Sequence, residues 1–86
     1  DIALLVPRDE HADRVVEIIG AAGGKYLADI NLFDYYEGAE IGNDQKSLAF
    51  HLIFQSAERT LADEDISKSF ASIEEAVRKE NWEIRG

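Results

Sequence analysis

Cysteine is absent from the 86 residues, so neither a disulfide framework nor a thiolate metal site can form, and the redox compartment is left open. Positive charge is scarce: 9 Lys and Arg stand against 18 Asp and Glu, a formal charge of -9. In a free-standing protein that balance argues against gripping a phosphate backbone by bulk attraction. No apolar run approaches a membrane span and no charged-then-apolar leader opens the chain, so no membrane partner is expected. Eighty-six residues suffice for one domain (1–86) with one core, and are too few for a cleft between lobes. An initiator Met is also missing. The chain enters the apolar run Ile2–Val6 directly from Asp1 and stops soon after Trp82 and Ile84, which reads as a domain of a longer protein whose total charge differs from that of the piece.

What is present divides into six segments. "DIALLVP" predicts a buried strand over residues 2–6, closed by Pro7, the single proline. Ala12, Val15, Val16, Ile19 and Ala22 recur at helical spacing and Gly23-Gly24 supply a stop, predicting a helix over 9–22. "KYLADINLFDYYEG" is long enough for a strand with an irregularity inside it, and "GAEIGND" is built of turn residues. "KSLAFHLIFQS" alternates cleanly, with Leu48, Phe50, Leu52 and Phe54 on one side and Ser47, Ala49, His51, Ile53 and Gln55 on the other. These two strands should form a hairpin. Ile66, Phe70, Ile73 and Val77 mark a helix over 63–79, with Asp63, Glu64 and Asp65 in its first turn and Arg78 and Lys79 in its last, as the helix dipole favours. "NWEIR" is a last short strand. The order βαββαβ predicts an α+β, ferredoxin-like fold, a four-stranded antiparallel sheet with two helices on one face. The other face is expected to be open.

Within the second strand, "LFDYYEG" places Asp34 between aromatic residues, where an aspartate must face water, a partner or a ligand. Ile30 and Leu32 call for burial, yet so do Phe33 and Tyr35, which have the opposite parity. A bulge near residues 32 and 33 reconciles them by turning Phe33 and Tyr35 inward and Asp34 and Tyr36 outward. Asp34 and Tyr36 then share the uncovered face with Ser47 and the small Ala3. A flat ring beside a carboxylate can stack one base and accept hydrogen bonds from its edge. The plain alternative is that Asp34 is a gatekeeper near a sheet edge and Tyr36 an ordinary half-buried tyrosine.

"DIALLVPRD", "FDYYEG", "KSLAF" and "RTLADEDI", in this order and ending in "EIRG", resemble the C-terminal ferredoxin-fold anticodon-binding domain of the bacterial phenylalanyl-tRNA synthetase β subunit. The resemblance covers essentially the whole chain and rests on four motifs in order. It implies recognition of the anticodon of tRNA-Phe, chiefly the guanine at its first position. Carried over motif by motif, it makes Asp34 the acceptor for the guanine edge and Tyr36 the stacking ring, with Ser47 and Ala3 lining the same pocket. Guanine presents N–H donors on its Watson–Crick edge, so an acceptor-only carboxylate suits it and penalises adenine.

The resemblance also implies partners: the remainder of the β subunit and an α subunit, in a cytoplasmic heterotetramer. No cofactor is expected in this domain; ATP and Mg2+ would serve the parent enzyme. Departures from the family pattern are Gln45-Lys46-Ser47 where Lys-Lys-Ser is common, His51 where arginine is frequent, and Ala62 where a threonine cap is usual. The first two remove positive charge near the RNA surface. The third forgoes a cap worth about 1 kcal/mol unless Thr60 or Asp63 substitutes.

Other constellations carry less. Glu37, Glu40 and Asp44 lack the oxygen-ligand spacing of a calcium loop, and "GAAGG" follows a helix and lacks the phosphate-cradle pattern. His11 and His51 have no nucleophile motif or second metal ligand near them, and Trp82 reads as a strand residue at the sheet margin. Lys25, Lys46, Arg59 and Arg85 are candidate phosphate contacts. No catalytic constellation is found, so the isolated domain is expected not to be an enzyme. The rival reading is a ferredoxin-like regulatory or protein-docking module, and an acylphosphatase-like hydrolase is disfavoured because no Gly/Arg loop follows strand one.

Overall fold

The computed structural model describes residues 1–85. Gly86, which closes the EIRG segment, lies outside the described residues. The elements are β1 (Ile2–Pro7), α1 (Ala12–Gly23), β2 (Leu27–Tyr36), β3 (Gln45–Phe54), α2 (Asp63–Lys79) and β4 (Glu83–Ile84), with short 3-10 turns at Gly24–Tyr26 and Ala39–Ile41. The strands form one antiparallel sheet in the order β2-β3-β1-β4. The βαββαβ reading therefore holds.

Alternation decides which face is covered. Ile2, Leu4 and Val6 of β1 and Leu48 and Phe50 of β3 are at most 1% exposed and cluster with Val15 and Ile19 of α1 and Ile73 and Val77 of α2. Residues of one parity thus meet both helices. Their neighbours of the other parity, Ala3, Leu5, Ser47, Ala49 and His51, face away from them.

Element ends follow local chemistry. α1 starts three residues later than its pattern suggested, because the Glu10 N–H turns back to the Pro7 carbonyl at 3.0 Å before the helix begins at Ala12. It stops at Gly24, whose φ of 74° is in the region that glycine enters without steric cost. α2 ends on Asn81 with φ 63°, with Asn81 N–H donating to the Arg78 carbonyl and Trp82 N–H to the Val77 carbonyl. This paired closure satisfies the last carbonyls and folds the following residue back on the helix. Trp82 is consequently a core residue, 5% exposed, and not the marginal strand residue its position before β4 suggested. The Arg14 guanidinium lies 5.8 Å from the centroid of its ring.

The N-terminus of α2 also departs from expectation. The methyl group of Ala62 offers no oxygen, and neither Thr60 nor Asp63 takes over. Instead Asp65 accepts the Ala62 N–H at 3.0 Å, and Arg59 grips the same carboxylate with two nitrogens at 2.8 and 2.9 Å. Arg59 and the backbone N–H together hold the Asp65 carboxyl down to about 2. A depressed carboxyl contributes stability that is present above its unfolded value near 4 and is lost as pH falls toward 2. Urea unfolding is therefore expected to show Asp65→Asn and wild type converging across that interval, with wild type more stable above it. A constant difference down to pH 2 would contradict the assignment.

Candidate nucleic-acid interface

β2 is an edge strand, and its register contains two irregularities, between Leu27 and Asp29 and between Leu32 and Asp34. The second decides the site. Leu32 pairs with Phe50 and Asp34 with Ala49, so Phe33 is the extra residue of a bulge and every later residue is shifted by one. Asp34 is then opposite Ala49, which in turn pairs with Ala3; Tyr36 is opposite Ser47, which pairs with Leu5. Side chains paired across strands share a face. All four expected site residues, Ala3, Asp34, Tyr36 and Ser47, therefore stand on the uncovered face, in two adjacent rows.

One part of the expectation fails. Phe33 does not turn inward: its ring stacks on His51, an outward-facing residue, and it is 50% exposed. A bulge lets two successive residues lie on the same side, so Phe33 and Asp34 both reach the open face while Tyr35 turns toward the helix side. Tyr35 is still 52% exposed, since an edge strand has no neighbour to cover it. It lies over the Lys46 ammonium at 5.7 Å and donates its hydroxyl to Glu37 at 2.7 Å. Arg8 pairs with the same Glu37 at 3.3 Å. These bonds lower the Glu37 carboxyl and raise the Tyr35 hydroxyl, in each case chiefly through their mutual hydrogen bond.

The floor of the open face is small. Ala49 and Ala3 present only methyl groups between Asp34 at the sheet edge and Arg85, whose backbone N–H donates to the Ala3 carbonyl at 2.7 Å. Asp34 Oδ1 accepts the N–H of Tyr35 at 3.0 Å, which orients the carboxylate; no protein donor meets Oδ2 among the described bonds. Asp34 is exposed, and one of its oxygens serves the bulge backbone, which accounts for an aspartate being tolerated inside an aromatic run. Ser47 is 7% exposed, and its Oγ accepts from Arg85 Nη1 at 3.4 Å. A ligand reaching this hydroxyl has to meet or move the Arg85 side chain.

Tyr36 is held from the loop. Its hydroxyl donates to Glu40 Oε2 at 2.6 Å, a bond that raises the tyrosine hydroxyl and lowers the Glu40 carboxyl. Gly38 lies beneath it, and a Cβ there would stand 2.6 Å from the Tyr36 hydroxyl oxygen and 2.7 Å from Glu40 Oε2. The bare glycine is what lets ring and carboxylate meet. Replacing Glu40 with Ala in the parent protein should release the ring and, on the expected stacking role of Tyr36, weaken RNA binding by about 0.5–1.5 kcal/mol, the worth of one ordinary hydrogen bond, without altering the thermal midpoint by more than a few degrees. Binding by Glu40→Ala equal to wild type would show that the ring is placed without the loop.

Of the four candidate phosphate contacts, Arg59 is committed to Asp65, and Lys46 is 8% exposed beneath Tyr35. Lys25 and Arg85 are exposed. Some of the acids lie behind the sheet: Asp13 and Glu17 belong to α1, and Asp63, Glu64, Asp65, Glu74 and Glu75 to α2. The helices also carry Arg14, Lys68, Arg78 and Lys79, and most of the acids, Asp34, Glu37, Glu40 and Glu83 among them, lie outside α1 and α2, so the acidic balance is shared by both sides of the sheet. Sequence reading turned Phe33 inward and offered Arg85 only as a candidate phosphate contact, not as the partner of Ser47. A parity count could not place a bulge residue, and nothing in "EIR" announces that its arginine crosses to Ser47.

Comparison with known proteins agrees with this fold. Residues 1–85 match the ferredoxin-fold anticodon binding domain family. The chain belongs to that family. Among relatives, the phenylalanine–tRNA ligase beta subunit of Listeria monocytogenes is 43% identical over 79 residues, 92% of this chain and 10% of that protein. The same subunit of Shouchella clausii is 40% identical over 84 residues, 98% of the chain and 10% of the relative. That of Streptococcus pneumoniae is 40% identical over 86 residues, 99% and 11%. This ferredoxin-fold anticodon-binding domain spans about a tenth of the length of the relatives it matches.

No group of three or more His, Cys, Asp or Glu side chains that could hold a metal is present among the described residues. No helix among them is long and apolar enough to cross a membrane.

Proposed function

We propose that this domain is the anticodon-reading part of a phenylalanine–tRNA ligase β subunit and takes the first anticodon base of tRNA-Phe on its open sheet face. The observation that carries the reading is the cross-strand register, which aligns Asp34 with Ala49 and Ala3, and Tyr36 with Ser47, on a face no helix covers. Tyr36 stacks the base, Asp34 Oδ2 accepts from the guanine N–H donors, Ser47 contributes its hydroxyl, and Ala3 keeps the floor low enough for a ring to approach. A carboxylate facing an adenine edge would meet an acceptor, so discrimination arises from repulsion as well as attraction.

Binding by the domain alone should be weak, since few cations face the RNA. The remainder of the β subunit and the α subunit, assembled as a cytoplasmic heterotetramer, supply the other tRNA contacts and the chemistry. ATP and Mg2+ act there, in aminoacylation; this domain has no step in it. The reading is tested by titrating the full ligase with cognate tRNA and with tRNA altered only at the first anticodon base. Expected is a loss of about 1–3 kcal/mol for the altered tRNA. Equal binding of both would instead identify a regulatory or protein-docking module.

A further inference from the structure

The open face carries a second flat surface that reading the first base does not use. Phe33 and His51 are stacked with ring centroids 3.9 Å apart and planes 16° from parallel. Phe33 is 50% exposed and the His51 side chain 49%, so the outer side of the stack faces solvent. His51 Nδ1 lies 2.7 Å from Asp1 Oδ1, which tethers the imidazole at its edge. This is a fixed aromatic surface, assembled by the same bulge that places Asp34.

Two features decide what it fits. Along β3, His51 is two residues from Ala49 and four from Ser47, so its row lies about 7 Å from the alanine floor and about 14 Å from the Tyr36 row, by strand rise. A base stacked on Tyr36 cannot also cover it; an adjoining nucleotide of the same strand can. The Asp1 carboxylate beside the imidazole leaves no excess positive charge, so the surface suits the face of a base better than a phosphate.

We propose that the Phe33–His51 stack is a second nucleotide subsite, taking a base next to the first anticodon base by stacking and with little regard to its identity. This rests on the anticodon reading above, and the test separates the two. Cognate tRNA transcripts carrying a single abasic position in the anticodon loop are bound to the assembled ligase, wild type, Phe33→Ala and Asp34→Ala, and coupling is taken from the double-mutant cycle.

Phe33→Ala should weaken binding roughly fivefold to 150-fold, the range of one base–aromatic stack, and lose that effect when a nucleotide beside the first anticodon base is abasic. Phe33→Tyr should bind as wild type, which separates loss of the ring from loss of the fold. Coupling of Phe33 to the first anticodon base alone would merge the stack with the Asp34 pocket and overturn the second subsite. So would Phe33→Ala binding like wild type while Asp34→Ala binds weakly, and that result would leave the anticodon reading intact. If Asp34→Ala also binds normally and couples to no base, both readings fail together.

Discussion

Phe50→Ala should cost about 3–5 kcal/mol of folding stability, the usual consequence of emptying a buried aromatic site. Phe50 is 0% exposed and is in the cluster that joins β1, β3 and both helices. It also pairs with Ile2 on one side and Leu32 on the other, so its loss leaves a cavity at the centre of the sheet. An 86-residue domain has a total stability on the order of 4–13 kcal/mol, and the substitution therefore takes between about a quarter of it and the whole. Ile53, three residues further along the same strand and 39% exposed, is the matched control. Ile53→Ala is expected to change stability by less than about 1 kcal/mol. Urea unfolding of the two variants measures the difference; comparable losses would mean that the helices do not rest on the Phe50 face.

That contrast also shows why so much of the fold was legible. Leu48, Phe50, Leu52 and Phe54 alternate without interruption on β3, and a clean period of two leaves only one way to bury a strand. The span of α2 was legible in full because its acids, apolar stripe and final cations are each in register with the same helix. β2 was harder. A bulge was inferable, because Ile30 and Leu32 cannot be buried together with Phe33 and Tyr35 under strict alternation. Which residue it ejects depends on the pairing with β3, a long-range fact that no local pattern contains. Phe33 was therefore assigned to the wrong face while Asp34 and Tyr36 were assigned to the right one.

The remaining differences have the same origin. Trp82 looked marginal from its place just before a two-residue strand, and the left-handed turn at Asn81 swings it into the core. Arg59 looked like a phosphate contact and is the clamp that substitutes for the missing cap at Ala62. In each case a residue type was read correctly and its partner, distant in sequence, was not visible. The net charge is a coarse guide for a related reason: it sums over both faces, while an interface depends on the charges of one.

Asp34→Ala in the full ligase should lower kcat/KM for tRNA-Phe by an amount equivalent to about 1–3 kcal/mol, the worth of one good base contact, roughly fivefold to 150-fold. Fold stability should scarcely change, because among the described residues the protein bond lost is to the exposed Tyr35 N–H, which water can satisfy. Asp34→Asn sharpens the test. Its amide oxygen can still take the Tyr35 N–H, leaving an NH2 donor where the proposed reading has a carboxylate oxygen meet the guanine donors. That variant should be as stable as wild type, charge the cognate tRNA poorly, and narrow the preference for guanine over adenine at the first anticodon position. Tyr36→Ala should lose a similar amount, about 1–3 kcal/mol, for both bases alike, since stacking is tolerant of identity. Selectivity that survives Asp34→Asn would assign the edge-reading group to another residue, with Ser47 and its Arg85 partner next in line on the same face.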